Sequence, residues 1–556
     1  MRLGYLLTLL ILATALIVIG CGKNTTPSSA PTTAHPSPNV VATSASPSVP
    51  SPTAAPPSSA TPFAVSSPIA AISPSSLPVS GTIVSPTEVL TTTASASAAT
   101  ASTAPVWPVF DIVPARLGAT TGGGLGPSNL GQLAVAWTQQ LPAVADAPPV
   151  ATANRLFFTL KDGRTIALDL QSGQPIWQAA TTGPKITTAS PALDPSGAWL
   201  YAYGLDGYVH KYATADGKES TGSGWPVQIT SLPQVEKGSS ALNLANGRLY
   251  VTTSGYLGDQ GHYNGHLVTI DLATGSAVVF NSLCSNHRTL QGSDANQANF
   301  CASEQSGIWA RAGAVVEPLN GTLFLATGNG PWNGSTDWGD SVLELSGDGR
   351  TLLDSYTPAS QAELNRRDLD LGSAAPALLP EQHSSKTPYL AVQAGKDGLL
   401  RLLNRRNLSG KGQPGQLGGE LQSVPTPGGC QVLTHPAVWT APDHTTWLFV
   451  ASRCGLAGLA LSTDANGESK LVSRWEQHFG TTSPIVVDGV LYTARSGILA
   501  AMDPLTGRQL WLSPEDGEPG AIGPIHWESP IVAAGHLIIE DERGNVTAFA
   551  VPNSKR

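Results

Sequence analysis

ALDLQSGQPIW at residues 167–177 and AMDPLTGRQLW at 501–511 are two copies of one turn, and TIDLATGSAVVF at 269–280 is a weaker third. Each residue type has a local task. The Asp accepts backbone N–H groups inside the turn, the Gly supplies a positive φ, and the Trp lands on the strand that follows. A large indole at that place can pack against a neighbouring repeat.

Working outward, the turn closes a longer unit. A Ser/Thr-Pro-apolar step leads into a short turn, an apolar strand, a Gly-containing turn and another strand, and the unit then ends on Asp-x-x-Thr/Ser-Gly. The step recurs at Pro149, Pro191, Pro436, Pro484 and Pro530, and in looser form near Ser240, Gly313 and Pro376. Eight units of roughly 40 to 70 residues have the period of propeller blades. The expected fold class is therefore all-β, an eight-bladed β-propeller over residues 107–552. The last unit, SPIVAAGHLIIEDERGNVTAFAV (529–551), supplies three strands. LAVAWTQQ (133–140), with Trp137 in the docking role, is the candidate fourth strand, so an N-terminal strand closes the ring and no sheet edge stays open.

The repeated turn resembles the tryptophan-docking motif of the quinoprotein (pyrroloquinoline quinone, PQQ) propeller family, over about residues 107–552. It lacks the Gly-His and Trp-Asp signs of WD40 repeats. The alternating strand directions of a blade put first-to-second and third-to-fourth turns on one face. The remaining loops and the blade-to-blade connections share the other face. The insertions 255–265, 281–306, 328–340, 357–372 and 408–431 are assigned to that long-loop face, where function concentrates.

Four segments there resemble the cofactor region of quinoprotein alcohol dehydrogenases. TGNGPWN (327–333) matches the family's Thr-Gly-Asn step, which puts Asn329 at the calcium-ligand asparagine. RRDLDLG (366–372) resembles the stretch holding the catalytic aspartate, with Asp368 the better match and Asp370 next. AGKDGLLRLLNRR (394–406) places Lys396 near the quinone, and GDQGHYNGHLVTID (258–271) resembles the segment of the glutamate ligand. Such a site uses hard oxygen ligands, a carboxylate base and a cation at the quinone oxygens. This chain departs from the pattern. Gln260, beside Asp259, stands at the glutamate, and Arg311 falls near the tryptophan under the cofactor, with Trp309 two residues away. Adjacent cysteines are missing, and Asn404 replaces the docking aspartate before Arg405. No cofactor is expected on this reading; PQQ and calcium belong to the alternative.

The N-terminus carries an address. Arg2 precedes an apolar run from Leu6 to Ile19, too short to span a bilayer comfortably, so residues 1–20 read as a signal peptide. Val18-Ile19-Gly20-Cys21 resembles a lipobox, which implies lipidation at Cys21 and attachment to the cell membrane from outside the cytoplasm. Removing Cys21 from five cysteines leaves Cys284, Cys301, Cys430 and Cys454. Their spacing pairs 284 with 301 and 430 with 454 in an oxidising compartment. The second pair is expected to face across a hairpin whose turn contains Pro442-Asp443.

Residues 21–106 are rich in Pro, Ser, Thr and Ala and cannot bury enough apolar surface to offset their ordering entropy, so a disordered tether is expected. As a flexible coil it would hold its ends roughly 50 Å apart, and as polyproline II it would reach about 250 Å. A net charge of −9 with 12% charged residues leaves no basic surface for a nucleic-acid backbone. Two function classes follow: a lipid-anchored binding or scaffold module with a protein or glycan partner on the long-loop face, or a PQQ- and calcium-dependent dehydrogenase oxidising an alcohol or sugar.

Overall fold

The computed structural model describes residues 105–552. The expected signal peptide, Cys21 and the tether up to residue 104 lie outside the described residues. Pro105 and Val106, assigned above to the tether, instead open a strand, Pro105–Trp107, that pairs antiparallel with Val150–Thr152.

Eight separate sheets make up the described chain, seven built on four successive strands and the eighth on the last three strands plus one from the N-terminal side. The innermost strands of blades 1, 2, 5, 6, 7 and 8 start at Val150, Ala192, Ala377, Ala437, Ile485 and Ile531, each directly after the proline of the repeated step. A proline just before a strand costs no ladder hydrogen bond there and presets φ. Blades 3 and 4, the looser copies, start at Asn243 and Val315. Blade 8 closes as expected: Ala134–Gln140 pairs antiparallel with Asn545–Ala550.

The docking expected of the turn is seen at three indoles, whereas Trp511 of the 501–511 copy packs edge-on against Phe549 at 5.2 Å. Trp137, Trp177 and Trp475 donate their indole N–H to the carbonyls of Leu170, Thr214 and Pro504 at 3.0, 2.9 and 2.9 Å, each on the next blade. Each indole also lies on a turn glycine of that blade. A Cβ at Gly173, Gly217 or Gly507 would stand 2.5, 2.6 or 2.6 Å from the ring, and φ there is +71°, +73° and +67°. Glycine is thus required twice at one position, for backbone conformation and for indole space.

A further tie was not expected from the sequence. Residues 108–125 pass along the inner strands around the ring. The carbonyls of Pro108, Pro114, Leu117, Gly118 and Gly123 accept the N–H groups of Leu193, Val316, Val438, Val486 and Gly535, on blades 2, 4, 6, 7 and 8. Ala119–Thr120 adds a short parallel strand to blade 7. Asp488 and Gly535 belong to first-to-second turns, so the segment leaves the ring on the short-turn face before reaching Ala134.

The insertion 408–431 does not lie wholly on the long-loop face. Gln422–Pro425 is the fourth strand of blade 5 and divides it. Residues 405–421 therefore leave and return as a third-to-fourth connection. They lie along blade 4, where the Leu408 N–H reaches Asp354 and the Gly418 N–H reaches the Thr357 carbonyl. Both disulfides are formed as paired above, with Cα separations of 5.9 and 6.0 Å. Cys430 and Cys454 sit in loops just beyond the hairpin strands Ala437–Thr440 and Thr446–Ala451 rather than opposite each other within them. Each loop closure contributes on the order of 3 kcal/mol.

Candidate functional site

Loops of three consecutive blades converge. Asp259 comes from the second-to-third loop of blade 3, Asn329 from that of blade 4 and Lys396 from that of blade 5. Asp368 and Asp370 follow the helix Gln361–Arg366 in the connection between blades 4 and 5. The strands that lead into the Asn329 and Lys396 loops are fully buried, which fixes where those loops depart.

The Asn329 Nδ2 donates to Asp368 Oδ1 at 2.7 Å, and the Asn329 backbone N–H donates to Asp370 Oδ1 at 2.7 Å. Gly328 makes the second contact possible, because a Cβ there would stand 2.4 Å from Asp370 Oδ1. Lys396 binds Asp370 directly and lies 3.4 Å from Asp368 Oδ1, with its ammonium 5.3 Å from the centre of the Trp309 ring. Asp259 accepts the Tyr263 hydroxyl at 2.6 Å. Since a carboxylate only accepts, the Asn329 amide must present its nitrogen to Asp368, and its oxygen is left over. That Oδ1 is buried and has no hydrogen-bond partner.

The electrostatics follow from this packing. Burial would lower the Lys396 ammonium, but Asp370 and then Asp368 hold it above the ordinary lysine value. Burial raises the Asp259 carboxyl, the Tyr263 hydroxyl opposes that, and Asp370 and Asp368 add to it. Carboxylates from separate loops thus repel one another across the site, with one ammonium among them. Asp259 and Asp368 both hold left-handed backbone, φ +45° and +55°, a conformation Asp tolerates better than most residues.

The sequence-derived residues divide. Asp259, Asn329, Asp368, Asp370, Lys396 and Trp309 come together. Gln260 is exposed and makes no hydrogen bond among the described residues. Arg311 opens a turn that carries its side chain to the ring axis, where it donates to the Asp146 carbonyl and covers the Trp527 ring at 4.9 Å. Two supporting residues went unread in the sequence. Asp340, buried in left-handed backbone, accepts the Leu371 N–H at 3.1 Å, and Gln361 donates to the Gly330 carbonyl at 3.0 Å. The only sequence signal for Asp340 is a Gly-Asp step before the third strand of blade 4.

The donor set suits a hard cation: an orphaned amide oxygen beside carboxylates that lack a full complement of positive charge. It does not suit a stacked quinone: Lys396 itself lies against the Trp309 ring, and Arg311 is turned toward Trp527 rather than toward this cluster.

No curated protein matches the chain. Residues 131–314 match the sequence-family model described as outer membrane protein assembly factor BamB. Among solved structures the chain resembles a quinohemoprotein alcohol dehydrogenase of Pseudomonas putida HK5, at 13% identity over 81% of each chain, with a TM-score of 0.58. It also resembles a europium-containing methanol dehydrogenase, at 14% identity over 81% of this chain and 98% of that one, TM-score 0.58. A quinohemoprotein alcohol dehydrogenase of Comamonas testosteroni aligns at 14% identity over 82% of each chain, TM-score 0.58. At such identities the likeness is one of fold. With its eight sheets and tryptophans docked blade to blade, the chain has the eight-bladed β-propeller fold, and the match to the family model covers residues 131–314 of it.

Proposed function

We propose that the protein is a binding or scaffold module, held outside the cell by a lipid on Cys21, that receives its partner on the long-loop face. One observation carries this reading. Lys396, the cation that would serve a quinone, is satisfied by the protein's own Asp370, Asp368 and Trp309. The matched family model also describes an assembly factor rather than a dehydrogenase. Fold by itself does not choose between these classes.

A second reading, a PQQ- and calcium-dependent dehydrogenase of an alcohol or sugar, is favoured by the unpartnered Asn329 Oδ1 beside Asp368. Calorimetric titration of the purified chain with PQQ in the presence of Ca²⁺, run beside a dye-linked assay on alcohols and sugars, separates the two. The binding-module reading expects no turnover. Micromolar PQQ binding with turnover that disappears in Asp368→Asn overturns it in favour of the dehydrogenase.

A further inference from the structure

Away from the Lys396 cluster, the centre of the long-loop face holds a funnel of about 640 Å³. A side cavity of about 160 Å³ between blades 6 and 7 adjoins it, and Thr481 and Arg495 line both. The joint lining contains Arg311, Arg453, Arg495 and Arg508 together with His526, and not one Asp or Glu. In a chain with net charge −9 this is a local reversal of sign. Among the described residues none of these four guanidiniums has a carboxylate within ion-pair distance. Arg495 instead lies over Phe479 at 4.9 Å, as Arg311 does over Trp527.

Of the carboxylates nearest the funnel, Asp146 and Glu542 share the Lys161 ammonium, at 3.2 and 2.8 Å, and Asp146 also lies 3.2 Å from the His526 ring, so their charge is met mainly by those neighbours rather than by the four arginines. Burial pushes Glu528 up to about 8 and raises Glu540 well above the usual carboxylate range, which works against a negative charge on either. Hydroxyls fill much of the remaining lining, and two of them, Thr482 in the funnel and Thr493 in the branch, are buried without a partner.

We propose that the funnel and its branch bind an acidic oligosaccharide, a short run of uronic-acid sugars. The idea rests on the long-loop face being the binding face, and it names the class of partner. Guanidiniums take carboxylates in a planar, two-bonded geometry. Ser and Thr hydroxyls both donate and accept, which suits sugar hydroxyls, whereas a phosphate oxygen only accepts. The volume lies within the about 300–1,000 Å³ of small-molecule sites, much more than a single anion fills. A branched cavity with arginines along both arms fits a ligand that repeats its charge.

The test is calorimetric titration of the full chain with trigalacturonate, with neutral maltotriose and tripolyphosphate as the other arms. Trigalacturonate is expected to bind, to weaken as salt rises from about 50 to about 500 mM, and to lose affinity about tenfold in Arg453→Ala/Arg495→Ala. Arg453 is exposed and Arg495 half-buried, so the double variant should melt like the parent; Arg453→Gln alone, expected to weaken binding several-fold, serves if it does not. Absent binding, equal binding of maltotriose, tighter binding of tripolyphosphate, or unchanged affinity in folded arginine variants each overturns the proposal. Because neither Asp368 nor Lys396 lines the funnel, these outcomes are independent of the PQQ titration.

Discussion

The Arg116 guanidinium donates from Nε to the Ala312 carbonyl at 3.0 Å, joining residues 196 positions apart. Its other nitrogens reach the carbonyls of Phe110 at 2.6 Å, Ala241 at 3.1 Å and Leu242 at 2.9 Å. One fully buried side chain therefore ties the N-terminal segment to blade 3 and to the entry of blade 4. Burial pulls its own pKa down to about 9, against the attraction of Asp111, and both remain inside the protein.

Arg116→Met should therefore be among the costliest single substitutions in the propeller. It strands four buried carbonyls, those of Phe110, Ala241, Leu242 and Ala312, a loss of about 3–5 kcal/mol. Lysine is no rescue, since an ammonium cannot reach four carbonyls arranged for a planar fork. Denaturant unfolding of the two variants checks this; a loss below about 0.5 kcal/mol in Arg116→Met would show the tie to be dispensable.

The contrast between this segment and the docking turn explains what the sequence could tell. The Asp, Gly and Trp of residues 167–177 act on atoms within a few residues or on the same atoms of the next repeat, so repetition exposes their roles. Residues 108–125 have no period, and every partner of the Arg116 guanidinium except Phe110 is more than a hundred residues away. Asn329, Asp368, Asp370 and Lys396 were legible because each sits in a short recognisable string. Arg311 was not, because a turn of the chain, invisible in composition, sends it to the axis. The split of 408–431 escaped notice because the dividing strand is only 4 residues long and ends in Pro425.

Cys21 carries the anchoring proposal. If the lipobox reading holds, Cys21→Ala should shift the protein from the membrane to a soluble fraction or the medium, or leave an uncleaved precursor. Fractionation followed by intact mass measurement of the N-terminus reads both. A variant still processed and membrane-bound as before would refute the reading.

The last prediction concerns pH and the two buried glutamates at the ring axis. Glu528 is fully buried, accepts the His526 N–H at 2.6 Å through Oε2, and has no partner at Oε1. Burial, then Asp146 and Glu542, raise its carboxyl to about 8, whereas the same group in the unfolded chain titrates near the ordinary value of 4.5. Between those values the folded protein holds a proton that the unfolded chain has released. Stability therefore falls as pH rises through that window and levels off above about 8, by up to ~1.4 kcal/mol per pH unit for this one group. Glu528→Gln keeps an oxygen for the His526 N–H and cannot ionise, so its stability relative to wild type should climb steadily from about pH 5 to about pH 8. The buried Lys237, lowered to about 7, works in the opposite direction above that value in both proteins and cancels in the difference. Urea unfolding of the two proteins at several pH values measures the slope. Parallel stability curves would mean that Glu528 is ionised in the folded state, against the burial that raises it.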